Sequence, residues 1–79
     1  MMAEPDWNSI RSRMMALTLK RLAPVKILFL GCLGGASTKA EIIATMVSQM
    51  RHWWRNGASD RAIQALQELE KVEEKCSLI

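Results

Sequence analysis

The sequence has no tyrosine, one phenylalanine, one histidine and two cysteines in 79 residues. Each shortage closes off a class of function. Cys32 and Cys76 stand far apart, so they form no disulfide-rich framework and suit a reducing compartment. His52 with two distant cysteines gives no zinc-ligand spacing. No apolar run reaches the ~20 residues that a bilayer span needs, and no secretory signal is evident. Catalysis requires a nucleophile, a base or a metal brought together. His52, between Arg51 and Trp53, is read as an ordinary helix residue. Gly31-Cys-Leu-Gly-Gly35 lacks the Lys-Ser/Thr of a phosphate loop and the spacing of a dinucleotide loop, so it is read as a helix end. Glu73-Glu74 is read as a solvated face. The chain is therefore expected not to be an enzyme and to carry no cofactor.

What is abundant is Ala, Leu, Met, Gln, Glu, Lys and Arg, a composition that favours helix. The expected fold class is all-α, one domain over residues 1–79, with helices at about 6–22, 24–33, 38–55 and 59–77. In the first, Asp6 caps the start, Trp7, Ile10, Met14 and Leu17 recur at helical spacing, and Pro24 closes it. The second is the run Pro24-Val-Lys-Ile-Leu-Phe-Leu-Gly-Cys-Leu33, in which only Lys26 is charged. It is too short to cross a membrane and too apolar for a one-sided surface helix. A lone strand would have nothing to pair with, so a short helix ended by Gly34-Gly35 is preferred. In the third, Thr38 and Glu41 have capping-box spacing. Ile43, Met46, Val47, Met50 and Trp54 share a face that Ile42 and Trp53 widen, and Asn56-Gly57 stops it. The fourth puts Ala62, Ile63, Leu66, Leu69, Val72 and Cys76 on its apolar side. Met14, Met15, Met46 and Met50 are expected as pliable core. Of the adjacent Trp53 and Trp54, one is expected to pack within the chain and the other to sit in a partner interface.

A domain of this size buries only about 60% of its unfolded surface. With disulfides and metals set aside, oligomerisation is the expected source of extra stability. The Pro24–Leu33 run is the part most in need of cover, from the rest of the domain, a second copy or a lipid surface. Charge is uneven. Residues 1–57 carry a net +5 and residues 58–79 a net −2, for +3 in total. A basic front allows an anionic partner without requiring one. Cys76-Ser-Leu-Ile79 has the outline of a prenylation signal. Ser77 is not aliphatic, Ile79 is an unusual last residue and the preceding segment is acidic, so prenylation is not expected.

The order of these parts resembles the flavivirus capsid (core) protein family. In that family a similar apolar second helix follows a basic amphipathic helix and a Gly/Pro turn. Trp54-Arg55 followed by Arg61-Ala-Ile-Gln-Ala-Leu-Gln-Glu-Leu69 looks like the start of the family's last helix, with Ala62, Leu66 and Leu69 at eight, twelve and fifteen positions past Trp54. The resemblance spans about residues 9–79. It implies a four-helix capsid-like protomer stable as a symmetric homodimer, with second helices paired and last helices antiparallel. The implied interface is Ile27, Leu28, Leu30, Leu33, Trp54, Ile63, Leu66 and Leu69. The implied partners are viral genomic RNA and a lipid or membrane surface, and the implied setting is the virion and host cytoplasm near intracellular membranes. The family's last helix is densely basic, whereas this one carries Glu68, Glu70, Glu73 and Glu74. RNA contact is therefore assigned to Arg11, Arg13, Lys20, Arg21, Lys26, Arg51, Arg55 and Arg61. The alternative is a helical protein-interaction module, a death-fold-like adaptor without nucleic-acid binding. It is motivated by the Trp-ended helix before Gly57-Ala-Ser-Asp-Arg-Ala-Ile-Gln-Ala-Leu66.

Overall fold

The last two helices form the frame. α3 runs Lys39–Arg55 and α4 runs Ser59–Ser77. The computed structural model describes residues 3–77, with side chains to Glu74; the side chain of Cys76 and the prenylation outline lie outside what is described. α1 (Trp7–Met15) packs on α3, and the short α2 (Ala23–Lys26) packs on α4 and continues as a 3-10 turn over Ile27–Phe29. The described residues are all helix and turn, without strands. The all-α class is thus established. The radius of gyration is 12.0 Å, close to the roughly 12 Å expected of one compact chain this long.

Local chemistry fixes the ends of α3. The Glu41 amide donates to Thr38 Oγ1 at 3.1 Å, and the Thr38 hydroxyl donates to Glu41 Oε1 at 3.0 Å. The cap is a variant of the capping box, with Glu41 meeting the Thr38 hydroxyl instead of its amide. At the other end Gly57 takes φ +87° and the Ala58 amide donates to the Trp53 carbonyl at 2.9 Å. This is a Schellman closure, and a side chain at Gly57 would strain it.

The core is built by Ile10, Met14, Leu17, Leu22, Val25 and Phe29 from the first half, with Ile42, Ile43, Met46, Val47, Met50, Ala62, Ala65, Leu69 and Val72 from the hairpin. α4 is rotated relative to its expected stripe: Ala65 is buried, while Ile63 and Leu66 are only half-buried. Small Ala62 and Ala65 let α4 lie close to its neighbours.

Two expected helices are shorter than predicted. The first was expected to reach residue 22 and ends at Met15. Its apolar stripe of Ile10, Met14 and Leu17 would next bring Arg21 inward on a continuous helix. Breaking the helix brings Leu22 to the core instead, where it is fully buried. Thr18 supplies the turn: its hydroxyl accepts from the Arg21 amide at 3.2 Å and its carbonyl from the Leu22 amide at 3.0 Å, the competition with helix that hydroxyl side chains offer. Lys39 Nζ donates to the Met15 carbonyl at 2.8 Å and satisfies the helix end. The second expected helix, 24–33, stops at Phe29. Gly31, Gly34 and Gly35 disfavour its continuation; Gly34 takes φ +52°.

The apolar run is divided by this geometry. Val25 and Phe29 are fully buried, whereas Ile27 is 63% and Leu30 66% exposed. Of the three possible covers, the rest of the domain supplies part: the anchors Val25 and Phe29 are enclosed by the chain's own helices, and the large apolar side chains left uncovered are Ile27 and Leu30.

Candidate anion-binding groove

The groove lies between α1 and α3. Asp6 starts α1 by accepting from the Asn8 and Ser9 amides at 3.1 and 3.3 Å. That start turns Trp7, Asn8 and Arg11 toward α3. On α3, positions 44, 48, 51 and 55 form one stripe at helical spacing. Ala44 and Ser48 are small, so a cavity of about 150 Å³ remains, lined by Trp7, Asn8, Arg11, Ala44, Val47, Ser48 and Arg51. A second cavity of about 260 Å³ continues it along α3, lined by Ser48, Arg51, His52, Arg55 and Asn56. Ser48 and Arg51 border both. Neither lining contains an acidic residue among those described.

Trp7 meets Trp54 edge-on, with ring centroids 6.4 Å apart and planes at 73°. This aromatic contact seats the start of α1 on the last turn of α3. It carries Glu4 to Arg55, where Arg55 Nε donates to Oε1 at 2.8 Å and Nη2 to Oε2 at 3.2 Å. The Arg55 hydrogen bonds hold the Glu4 carboxyl below its ordinary value of 4.5, with a further contribution from the Arg51 charge. Trp7 Nε1–H is buried without a partner at hydrogen-bonding geometry, yet lies close enough to Glu4 to favour its charged form. Arg55 is raised in turn by the Glu4 contact.

The last turn of α3 is further tied by Asn56, whose Nδ2 donates to the His52 carbonyl at 2.8 Å and lies 3.2 Å from His52 Nδ1. With Asn56 donating, Nδ1 accepts, and the neutral imidazole carries its proton on Nε2. The helix C-terminus brings roughly half a negative charge. The Arg55 charge is matched by Glu4, and the guanidinium of Arg51 outweighs the helix end, so the second cavity favours anions.

The eight cations assigned to RNA contact do not form one surface. Arg11, Arg51 and Arg55 share the groove. Arg13 is committed to α4: its Nε and Nη2 donate to Glu73 at 3.0 and 2.5 Å. The Arg13 hydrogen bonds hold the Glu73 carboxyl below 4.5, and those same bonds raise Arg13. Lys20 and Arg21 line a separate hollow of about 180 Å³ with Pro24 and Val72. Lys26 is half-buried on α2. Arg61 lies 5.9 Å over the Trp53 ring.

The assigned interface residues also divide. Ile27 and Leu30 are exposed, while Leu28, Leu33, Trp54, Ile63 and Leu66 are half-buried. Leu69 is fully buried in the chain's own core, so contact by α4 with another subunit would rest on Ile63 and Leu66. Both adjacent tryptophans pack within the chain: Trp54 against Trp7, and Trp53 stacked on Phe29 at 5.0 Å and 21°. Sequence reasoning missed Glu4, because nothing local marks a contact made 51 positions away, and it missed Ser48 and Asn56 as groove lining because neither carries a charge that singles it out.

No group of three or more His, Cys, Asp or Glu among the described residues is placed to hold a metal. No helix among them is long and apolar enough to cross a membrane. Compared with known proteins, the chain matches no family model, no curated protein and no solved structure.

Proposed function

We propose that this chain is a small, self-associating helical protein that binds RNA through its phosphates, in the manner of a capsid protein, and is a binding protein instead of an enzyme. The observation that carries the reading is the continuous α1–α3 groove, which gathers Arg11, Arg51 and Arg55 with no acidic residue in its described lining and with one acid at its edge, Glu4 on Arg55. Guanidinium groups spaced along a groove suit a phosphate chain, since each pairs with anionic oxygens through a planar fork. The exposed Ile27 and Leu30 support self-association or contact with lipid at the opposite end of the same reading.

The test is anisotropy of a labelled single-stranded RNA, titrated with protein over a series of salt concentrations. If about three cations neutralise phosphates, the log–log slope is about −2. No binding at low salt would sink the RNA reading. For self-association, sedimentation across concentration is compared between the natural chain and a variant carrying Ile27→Asp and Leu30→Asp. Loss of a dimer in the variant is the expected result, and a natural chain that stays monomeric throughout rejects this part. Flotation with anionic vesicles tests lipid contact by the same two residues.

The protein-interaction reading has one observation in its favour, a hollow of about 150 Å³ bordered by Leu28, Trp53, Arg61 and Gln64. A saturable protein partner unaffected by RNA would favour it. Among the described residues there are four α-helices, which suits a capsid-like protomer better than the six of a death fold.

A further inference from the structure

Glu4 sits in the Arg55 fork through two hydrogen bonds, 2.8 and 3.2 Å long. A guanidinium makes the same two-pronged contact with a carboxylate and with a phosphate. The pair is open to water, with side chains 58% and 38% exposed for Arg55 and Glu4. Arg55 borders the polar cavity of about 260 Å³ beside Arg51, Ser48 and His52. A water takes about 30 Å³ of liquid, so the cavity has room for a tetrahedral oxyanion.

We propose that this cavity is a phosphate-binding subsite, and that Glu4 is an internal stand-in which a phosphate of single-stranded nucleic acid displaces from Arg55. The proposal deepens the RNA reading and takes the source of its phosphate from it. The exchange is close to balanced. A phosphodiester brings one negative charge and two free oxygens, as the carboxylate does. Glu4 returns to water at the start of the chain, upstream of Pro5. Arg51 contributes a guanidinium without an ion pair among the described residues, and the Ser48 hydroxyl adds a donor. Because Arg51 and Ser48 also border the Arg11 cavity, a bound phosphate leads the strand on toward Arg11. Glu4 therefore acts as a competitor that weakens RNA binding without abolishing it.

The experiment compares RNA binding by the natural chain, Glu4→Gln and Glu74→Gln, the last removing the same charge from an exposed position on α4. Glu4→Gln is expected to bind about threefold more tightly at low salt, with the log–log salt slope staying at about −2, since the same three cations meet phosphate once Glu4 has left Arg55. Glu74→Gln should leave the affinity nearly unchanged. In an Arg55→Gln background the Glu4→Gln gain should vanish. A second arm titrates inorganic phosphate while the Arg55 Nε–H resonance is followed by NMR. A saturable shift is expected, reached at lower phosphate in Glu4→Gln. RNA binding tightened equally by both charge-removal variants, or a slope steeper by about 0.7 in Glu4→Gln, which would mean that Glu4 keeps Arg55 from phosphate in the natural chain, overturns the displacement and leaves the RNA reading intact. An Arg55 resonance indifferent to phosphate overturns the subsite. Phosphate displacing Glu4 while RNA fails to bind supports the subsite and rejects the RNA reading. Anionic phospholipid vesicles shifting Arg55 where RNA does not would overturn the choice of nucleic acid.

Discussion

The α3–α4 hairpin and the segment from Ala16 to Ser37 are held by different means. The hairpin has two helices of 17 and 19 residues, a hydroxyl cap at Thr38, a glycine closure at Gly57, and a stripe of buried side chains along each helix. The segment has one four-residue α-helix, a three-residue 3-10 turn and otherwise turns. It attaches through isolated anchors, Leu17, Leu22, Val25 and Phe29, with Ile27 and Leu30 turned outward. It is the more apolar of the two, yet it leaves the two most exposed large apolar side chains of the described chain. Apolar content alone does not decide burial; a side chain must also belong to a backbone whose repeat returns it to the core.

The sharpest way to break this contrast is at an anchor. Phe29 is fully buried and stacked on Trp53, so Phe29→Ala should cost about 3–5 kcal/mol. A small domain has a total stability of about 5–15 kcal/mol, and denaturant titration should find the variant largely or wholly unfolded at modest denaturant. Leu30→Ala, one residue on and 66% exposed, should change stability by less than about 0.5 kcal/mol. Similar losses at both positions would mean that the segment has no anchors distinct from its surface.

In the hairpin the backbone turn is the weak point. Gly57→Ala forces a Cβ onto a residue at φ +87° and should cost about 1–2 kcal/mol; thermal melts that coincide with the natural chain would show that the closure can relax. Thr38→Ala removes the hydroxyl that caps Glu41 and should cost about 1 kcal/mol. Hydrogen exchange should localise this loss to the first turn of α3, and uniform acceleration would contradict a local cap.

The smallest effect joins α1 to the hairpin. Glu73→Gln should cost less than about 1 kcal/mol at neutral pH, since both partners are partly open to water. The sign with pH follows from the lowered Glu73 carboxyl. Its contribution is whole above the ordinary value of 4.5 and fades as pH falls through the lower folded-state value. The stability gap between natural chain and variant should therefore close in acid; a gap that widens there would reverse the assignment.

Much of the hairpin was readable from the sequence. Thr38 with Glu41, and Asn56 with Gly57, are short-range signals whose partners lie within a few positions, and the bounds they imply agree with α3 and α4 to within a residue. The first half was less readable because its structure depends on a choice between distant contacts. Carrying α1 onward would have brought Arg21 inward, and only the presence of a core to receive Leu22 decides against it. The groove was visible as separate cations, but their partition was not. Arg13 goes to Glu73 across 60 positions and Arg55 to Glu4 across 51, and no local pattern records either pairing.

The three tryptophans give these regions separate optical reporters. With no tyrosine in the chain, near-ultraviolet emission comes almost wholly from indole. Trp53, stacked on Phe29, registers departure of the middle segment. Trp7 against Trp54 registers lifting of the amino-terminal helix, and with it release of the glutamate beside it. Replacing one indole at a time would allow stopped-flow fluorescence to time the two events independently in a chain that carries no added dye.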